Sequence, residues 1–313
     1  MGRDGNGSGA LHTRATRAVA LCMKHSLSPF DALPQSKPVG QQQTETRRSI
    51  ARRFVGIKPT MLSDPASGFY ASVYYDKYTH KYIVANRGTV ISPWHPVATS
   101  RDLSTDIRQA LGYPLPVPTQ YGVDAAKLGG ALAKSTQPII LTGHSLGGGL
   151  AALEARLTGD PAVTFDSAGV SQYTLHVTHA HSSANIINME VNGQFLGQMQ
   201  GHSLRSDFSC ALRTEPGTTT LLLYAIAQFS GVNFSQAMKS TAILPRSLGQ
   251  QVVLPLTHWS STSMNSETAV TPHTGTCLAN IVREATVYHK ADMVVHALNY
   301  EFTQLICPKR KRS

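Results

Sequence analysis

Pro138-Ile139-Ile140-Leu141-Thr142-Gly143-His144-Ser145-Leu146-Gly147-Gly148-Gly149 is the stretch on which the reading of this chain turns. A short apolar run enters a G-x-S-x-G pentapeptide and leaves it into a helix-forming segment, the strand-turn-helix setting that an exposed nucleophilic serine requires. At such a turn the residues two before and two after the serine press against neighbouring chain, so Gly143 and Gly147 are expected to be glycine for mechanical reasons. The helix behind Ser145 points its positive end at the serine, and the Leu146 backbone N–H is placed to receive a developing oxyanion.

Working outward, the pattern alternates. Phe69 to Tyr75 and Tyr82 to Ala85 read as neighbouring strands, and Val123 to Ala133 as an amphipathic helix. Gly148 to Thr158 reads as a helix, with Leu150, Leu153 and Leu157 continuing the face begun by Leu146, and stops at Gly159-Asp160-Pro161. Ala162 to Phe165 and Asn185 to Val191 follow as strands. This rhythm predicts an α/β fold with a mostly parallel central sheet. Residues 1–53, rich in Gly, Ser, Gln, Pro and Arg, read as a mobile basic leader, 54–300 as the folded domain and 301–313 as a basic tail. The segment Ile91 to Thr119, with Trp94 and five prolines, reads as a long loop of the kind that is functional or disordered.

Composition narrows the classes further. With 41% hydrophobic and 15% charged residues the chain can bury a core, and no stretch approaches the length of a membrane span. The net charge of +10 suits anionic partners such as phospholipid headgroups, while no nucleic-acid fold signature accompanies it. Cys22, Cys210, Cys277 and Cys307 lie far apart, which predicts idle or buried thiols rather than a disulfide framework or a zinc cage. His176, His179 and His181 lack a companion acid or cysteine and do not form a metal motif. Ala18 to Met23 is too short for a secretory h-region, so no cleavable signal is expected.

The elbow run Gly143 to Ala151 resembles that of class 3 lipases, in particular bacterial secreted phospholipases A1. The likeness extends through Ser67-Gly68-Phe69, Asn86-Arg87-Gly88-Thr89, Thr105 to Gly112 and Thr164 to Gly169. It implies an α/β-hydrolase fold, an acyl-serine mechanism on lipid esters, and Thr89 as the second oxyanion donor beside Leu146. It also implies a phospholipid substrate at a membrane interface, with 91–119 as an interfacial lid. No cofactor or metal is required for that mechanism, which leaves calcium dependence open. By the same analogy the protein is secreted or delivered to a target cell, with an immunity protein or secretion component as its partner; otherwise it is cytoplasmic.

Position selects the base. Tyr288-His289-Lys290-Ala291-Asp292 resembles the family's histidine before a helix, so His289 is expected to take the Ser145 proton, with His258 and His296 in reserve and His144 as a structural neighbour. The acid is harder to find. Eight carboxylates lie between Ser145 and His289. Glu154 and Asp160 fall on the wrong side of the sheet, and Asp166 comes one strand early. In the loop after Ile186 to Val191, where relatives carry an acid, this chain has Gln194, which can hold an imidazole but cannot neutralise it. Asp207 is therefore expected as the triad acid, with Glu190 as its alternative. Two further readings remain: a catalytically impaired binding module on the same fold, or a soluble carboxylesterase.

Overall fold

The computed structural model describes residues 42–44, 54, 57–77, 79–88, 120–202, 204–230, 244–255, 276–284 and 289–306. Among these, the strands are β1 (Gln42–Thr44), β2 (Ser63–Asp64), β3 (Phe69–Asp76), β4 (Lys81–Asn86), β5 (Ile139–His144), β6 (Ala162–Phe165), β7 (Ile186–Val191) and β8 (Gln250–Leu254). The helices are α1 (Ala126–Leu132), α2 (Leu146–Thr158), α3 (Gln172–Val177), α4 (Phe195–Met199), α5 (Leu204–Asp207), α6 (Ser209–Thr214), α7 (Pro216–Ser230), α8 (Cys277–Arg283) and α9 (Ala291–Ile306). None of the described helices is long and apolar enough to cross a membrane.

The sheet runs β1-β3-β4-β5-β6-β7-β8, with β2 paired to β3 off this path. β1, β3 and β4 pair antiparallel, and β4 through β8 are all parallel. The fold is therefore an α/β-hydrolase-like arrangement with a mostly parallel central sheet, as the alternating pattern predicts. One reading needs correction: Gln42–Thr44, placed in a mobile leader, form an edge strand against Tyr74–Asp76. A short polar edge strand gains its place from backbone pairing, which composition does not reveal.

Both faces of the sheet are covered. Val73, Val84, Leu141 and Ala162 on one face meet α1 and α2 through Leu128, Leu132, Leu146, Leu150 and Leu153 in one buried cluster. Residues of opposite parity, Phe165 and Val191, pack with Leu254 against Ala291, Val294 and Ala297 of α9. The period of two along the strands thus assigns the first helices to one face and the last to the other. Each fully buried leucine contributes about 1.5–3 kcal/mol. α2 is buried from Leu146 to Ala155, which fixes the helix that carries the elbow.

Two features were not expected. Cys210 and Cys277 form a disulfide between α6 and α8, with Cα atoms 5.9 Å apart and 67 residues of separation. This corrects the reading of idle thiols: spacing could not show that two helices 67 residues apart pack side by side. The other feature is Glu154, fully buried in α2, whose Oε2 accepts from Asn86 Nδ2 at 2.7 Å. Burial pushes its acid up to about 8, with the Asn86 bond opposing.

Two outcomes follow. Closing a loop of 67 residues restricts the unfolded chain by about 4 kcal/mol in the chain-entropy model, so Cys210→Ser should lower stability by about 2–4 kcal/mol in denaturant titration. For Glu154, the folded state holds a proton that the unfolded state releases between about pH 4.5 and 8. Its contribution is full below that window and is lost as pH rises through it, with a slope of up to about 1.4 kcal/mol per pH unit. Glu154→Gln, which keeps an acceptor for Asn86, should remove that slope; identical pH profiles for the two proteins would contradict a buried neutral acid.

Candidate active site

The parallel strands deliver their C-terminal ends to one edge, where connecting loops build a site. β5 ends at His144, and Ser145 follows with φ 57° and ψ −127°, a left-handed backbone that a non-glycine residue rarely adopts. Such a conformation costs on the order of 1–3 kcal/mol and persists only where its surroundings enforce it. Here they do. The Ser145 N–H donates to the Phe165 carbonyl at 3.0 Å, and the Ser145 carbonyl accepts from Gly148 at 2.9 Å and Ala168 at 3.0 Å. A Cβ on Gly143 would overlap the Gly147 carbonyl, and one on Gly147 would overlap the Asn86 carbonyl. Leu146 opens α2, so its N–H belongs to the first turn that has no intrahelical acceptor.

The elbow serine meets the distant histidine. Ser145 Oγ lies 2.8 Å from His289 Nε2, across 144 residues of sequence. His289 is set just before α9, and its N–H donates to the Glu284 carbonyl at 3.0 Å. Its Nδ1 lies 2.8 Å from Gln194 Oε1. Gln194 caps α4, and the Leu196 N–H donates to the same Oε1 at 2.8 Å, which fixes the amide with its oxygen toward the imidazole. Gln194 is 1% exposed and Ser145 8%, so the hydrogen-bonded line from amide to hydroxyl is sheltered from water but reaches the surface at the serine.

The expected acid lies elsewhere. Asp207 ends α5, and its Oδ1 faces His202 Nδ1 at 3.4 Å, while the acceptor beside His289 Nδ1 is Gln194. Burial pushes the Asp207 acid up to about 6, with His202 opposing. The alternative, Glu190, sits one residue before the end of β7 with its carboxylate beside the Gln194 amide, and the acceptor on His289 Nδ1 is Gln194. Thr89, the expected second oxyanion donor, lies outside the described residues, as do the 91–119 segment and His258. The preceding residue is informative: a Cβ on Gly88 would collide with the His144 carbonyl and lie 3.6 Å from Ser145 Cβ, so the end of β4 runs alongside the elbow. His296 falls within α9.

Electrostatically the site is close to neutral. Burial, then the neighbouring His144, holds the His289 imidazole well below its usual value of 6.5. His144 itself is lowered to about 4 by burial, with the His289 backbone opposing. The two rings lie 5.0 Å apart. Asp166, fully buried at the end of β6, accepts from the Val191 N–H at 2.8 Å through Oδ1. Burial raises its acid well above 3.8, and Oδ2 stands 3.8 Å from His144 Nε2.

His144, Asp166 and His289 form a possible metal-ligand cluster, with ligand atoms within 4.8 Å of one another. Both ring nitrogens of His289 are already engaged, by Ser145 and by Gln194. A cation would be left with His144 and Asp166, two ligands where protein zinc sites use three or four. The donor set therefore suits a neutral acid beside a neutral imidazole better than a metal centre.

This arrangement can be set beside known proteins. A family model described as a Tle-like phospholipase domain matches residues 40–248. Over 121 residues the chain is 42% identical to an extracellular phospholipase A1 of Serratia liquefaciens, an overlap of 39% of this chain and 34% of that protein. The chain thus spans about a third of the length of the curated relative that it matches. A solved triacylglycerol lipase from Penicillium expansum aligns at 14% identity with a TM-score of 0.36, covering 62% of this chain and 74% of that one, too loosely to add to the topology above. With the elbow, strands β1 through β7 and two thirds of its length inside the matched region, the chain belongs to the Tle-like phospholipase domain family.

Proposed function

We propose that the protein hydrolyses carboxylic esters of lipids, specifically glycerophospholipids in the manner of a phospholipase A1, through an acyl-serine. One observation carries the reading: Ser145 Oγ is 2.8 Å from His289 Nε2, and the other ring nitrogen is held by an oriented acceptor. A serine hydroxyl is a poor nucleophile until a neutral base takes its proton. His289 is suited to that task because its enclosure keeps it neutral.

In this mechanism Ser145 Oγ bonds to the ester carbonyl carbon as its proton passes to His289 Nε2. The resulting oxyanion is held by the Leu146 N–H and by Thr89. Collapse breaks the ester C–O bond, and the leaving alcohol takes the proton from His289. Water, deprotonated by the same imidazole, then releases the fatty acid and restores Ser145. An extracellular setting is supported by the Cys210–Cys277 disulfide, a bond that persists in oxidising compartments, and by the Serratia relative's description.

A second reading, an impaired member that binds membranes on the same scaffold, is favoured by Gln194: an amide at His289 Nδ1 carries no charge to stabilise the imidazolium. A fluorophosphonate probe separates the two. Labelling of the wild type and its loss in Ser145→Ala is the expected result; a folded wild type that stays unlabelled would leave only the scaffold. Turnover should rise on phospholipid vesicles relative to short soluble esters, and equal rates on both would point to a soluble esterase.

The depressed His289 value also has a measurable sign. The base works only when neutral, and a lower pKa keeps it neutral to lower pH. The acid limb of kcat/KM should therefore lie below pH 6.5, and a limb at or above that value would contradict the enclosed base.

A further inference from the structure

An amide at His289 Nδ1 leaves a chemical deficit. When His289 takes the Ser145 proton it becomes an imidazolium, and the amide oxygen can accept its N–H without supplying negative charge. The chain has a carboxylate one step further back. The Leu196 N–H and His289 both turn to Gln194 Oε1, so the amide NH₂ points the other way, toward the side of the Glu190 carboxylate.

This contact has its own built space. Glu190 lies near the end of β7, and a turn through Gly193, at φ 81°, reverses the chain so that Gln194 comes back over it. Gly197, in α4, faces the junction. A Cβ there would collide with the Glu190 carboxyl oxygen and sit 2.7 Å from Gln194 Nε2. Of the other acids, Asp207 faces His202, and Asp166, 3.8 Å from His144 Nε2 and within 4.8 Å of a His289 ring nitrogen, is fully buried and held toward its neutral form.

We propose that Glu190 is the positioning residue that supplies the triad's negative charge, acting through the Gln194 amide on the imidazolium of His289. The inference rests on the serine hydrolase reading above. No proton travels to Glu190 in this arrangement. Its charge polarises the amide, so that the oxygen facing His289 becomes a stronger acceptor as positive charge develops on the ring. The family's direct carboxylate is replaced by a carboxylate acting through one intervening amide.

The test uses the full chain and three proteins: wild type, Glu190→Gln, and the exchange Glu190→Gln with Gln194→Glu. The exchange keeps a side chain of each length and moves the charge next to the ring. Steady-state kinetics on phosphatidylglycerol vesicles, fluorophosphonate labelling rates and thermal unfolding are measured for each. Glu190→Gln should lower kcat by about 10- to 100-fold with KM little changed, less than the roughly 10⁴-fold loss when a directly bound triad carboxylate becomes an amide. The exchange should recover most of that loss. A purely structural role for Glu190 would alter unfolding and would not be rescued by moving the charge.

Unchanged kcat and labelling in Glu190→Gln would overturn the inference while leaving the hydrolase reading intact. So would an exchange protein that unfolds like the wild type yet stays as slow as Glu190→Gln. A folded wild type that neither labels nor turns over vesicles would overturn the hydrolase reading itself, and this inference with it.

Discussion

The left-handed backbone at Ser145 is the constraint around which the rest is arranged. Its φ of 57° is unfavourable for a side chain that carries a Cβ, and nothing local relieves it. Relief comes from the sheet: Phe165 at the end of β6 accepts the serine N–H, Ala168 beyond it donates to the serine carbonyl, and Gly143 and Gly147 allow strand and helix to approach without a Cβ between them. The strain is thereby distributed over β4, β5, β6 and α2, and its product is a hydroxyl aimed out of the sheet edge. A substitution anywhere in that shell acts on the serine even where it never touches the reacting atoms.

Burial then determines the charge states. His144, Asp166 and Glu154 are buried and His289 is half-buried beside them, and each is displaced toward its neutral form. For a base this is an advantage before the reaction and a difficulty during it. The imidazolium that appears in the transition state sits in the same poor solvent, so the acceptor on Nδ1 and any charge behind it matter more than they would in water. The amide of Gln194 meets the geometric half of that need, and Glu190, on the far side of that amide, is the group proposed to meet the electrostatic half.

The disulfide serves a different part of the molecule. It ties α6 to α8, after which the chain runs to Glu284, whose carbonyl receives the His289 N–H. The crosslink therefore anchors the helix that precedes the base. Its neighbour α9 packs on β7 and β8 through Val294 and Ala297, and this contact holds the histidine from the other side.

What the sequence determined by itself was local. A glycine at each flank of Ser145, a buried apolar run before it and a leucine-striped helix after it are short-range patterns, and they made the elbow and the parallel sheet legible from residues alone. His289 was picked out through a resemblance in position alone, and the structure sets its Nε2 2.8 Å from Ser145 Oγ. What only the tertiary structure decided were the long-range pairings. Asp207 and Glu190 were equally available in the sequence, and neither lies on the imidazole. One turns to His202 and the other to Gln194, because the short turn after β7 brings the amide rather than an acid to Nδ1. Cys210 and Cys277 meet for a related reason, through the packing of α6 against α8, which no spacing rule encodes. Periodicity reports which face a residue occupies, whereas partners far apart in sequence are fixed by the packing of the elements that carry them.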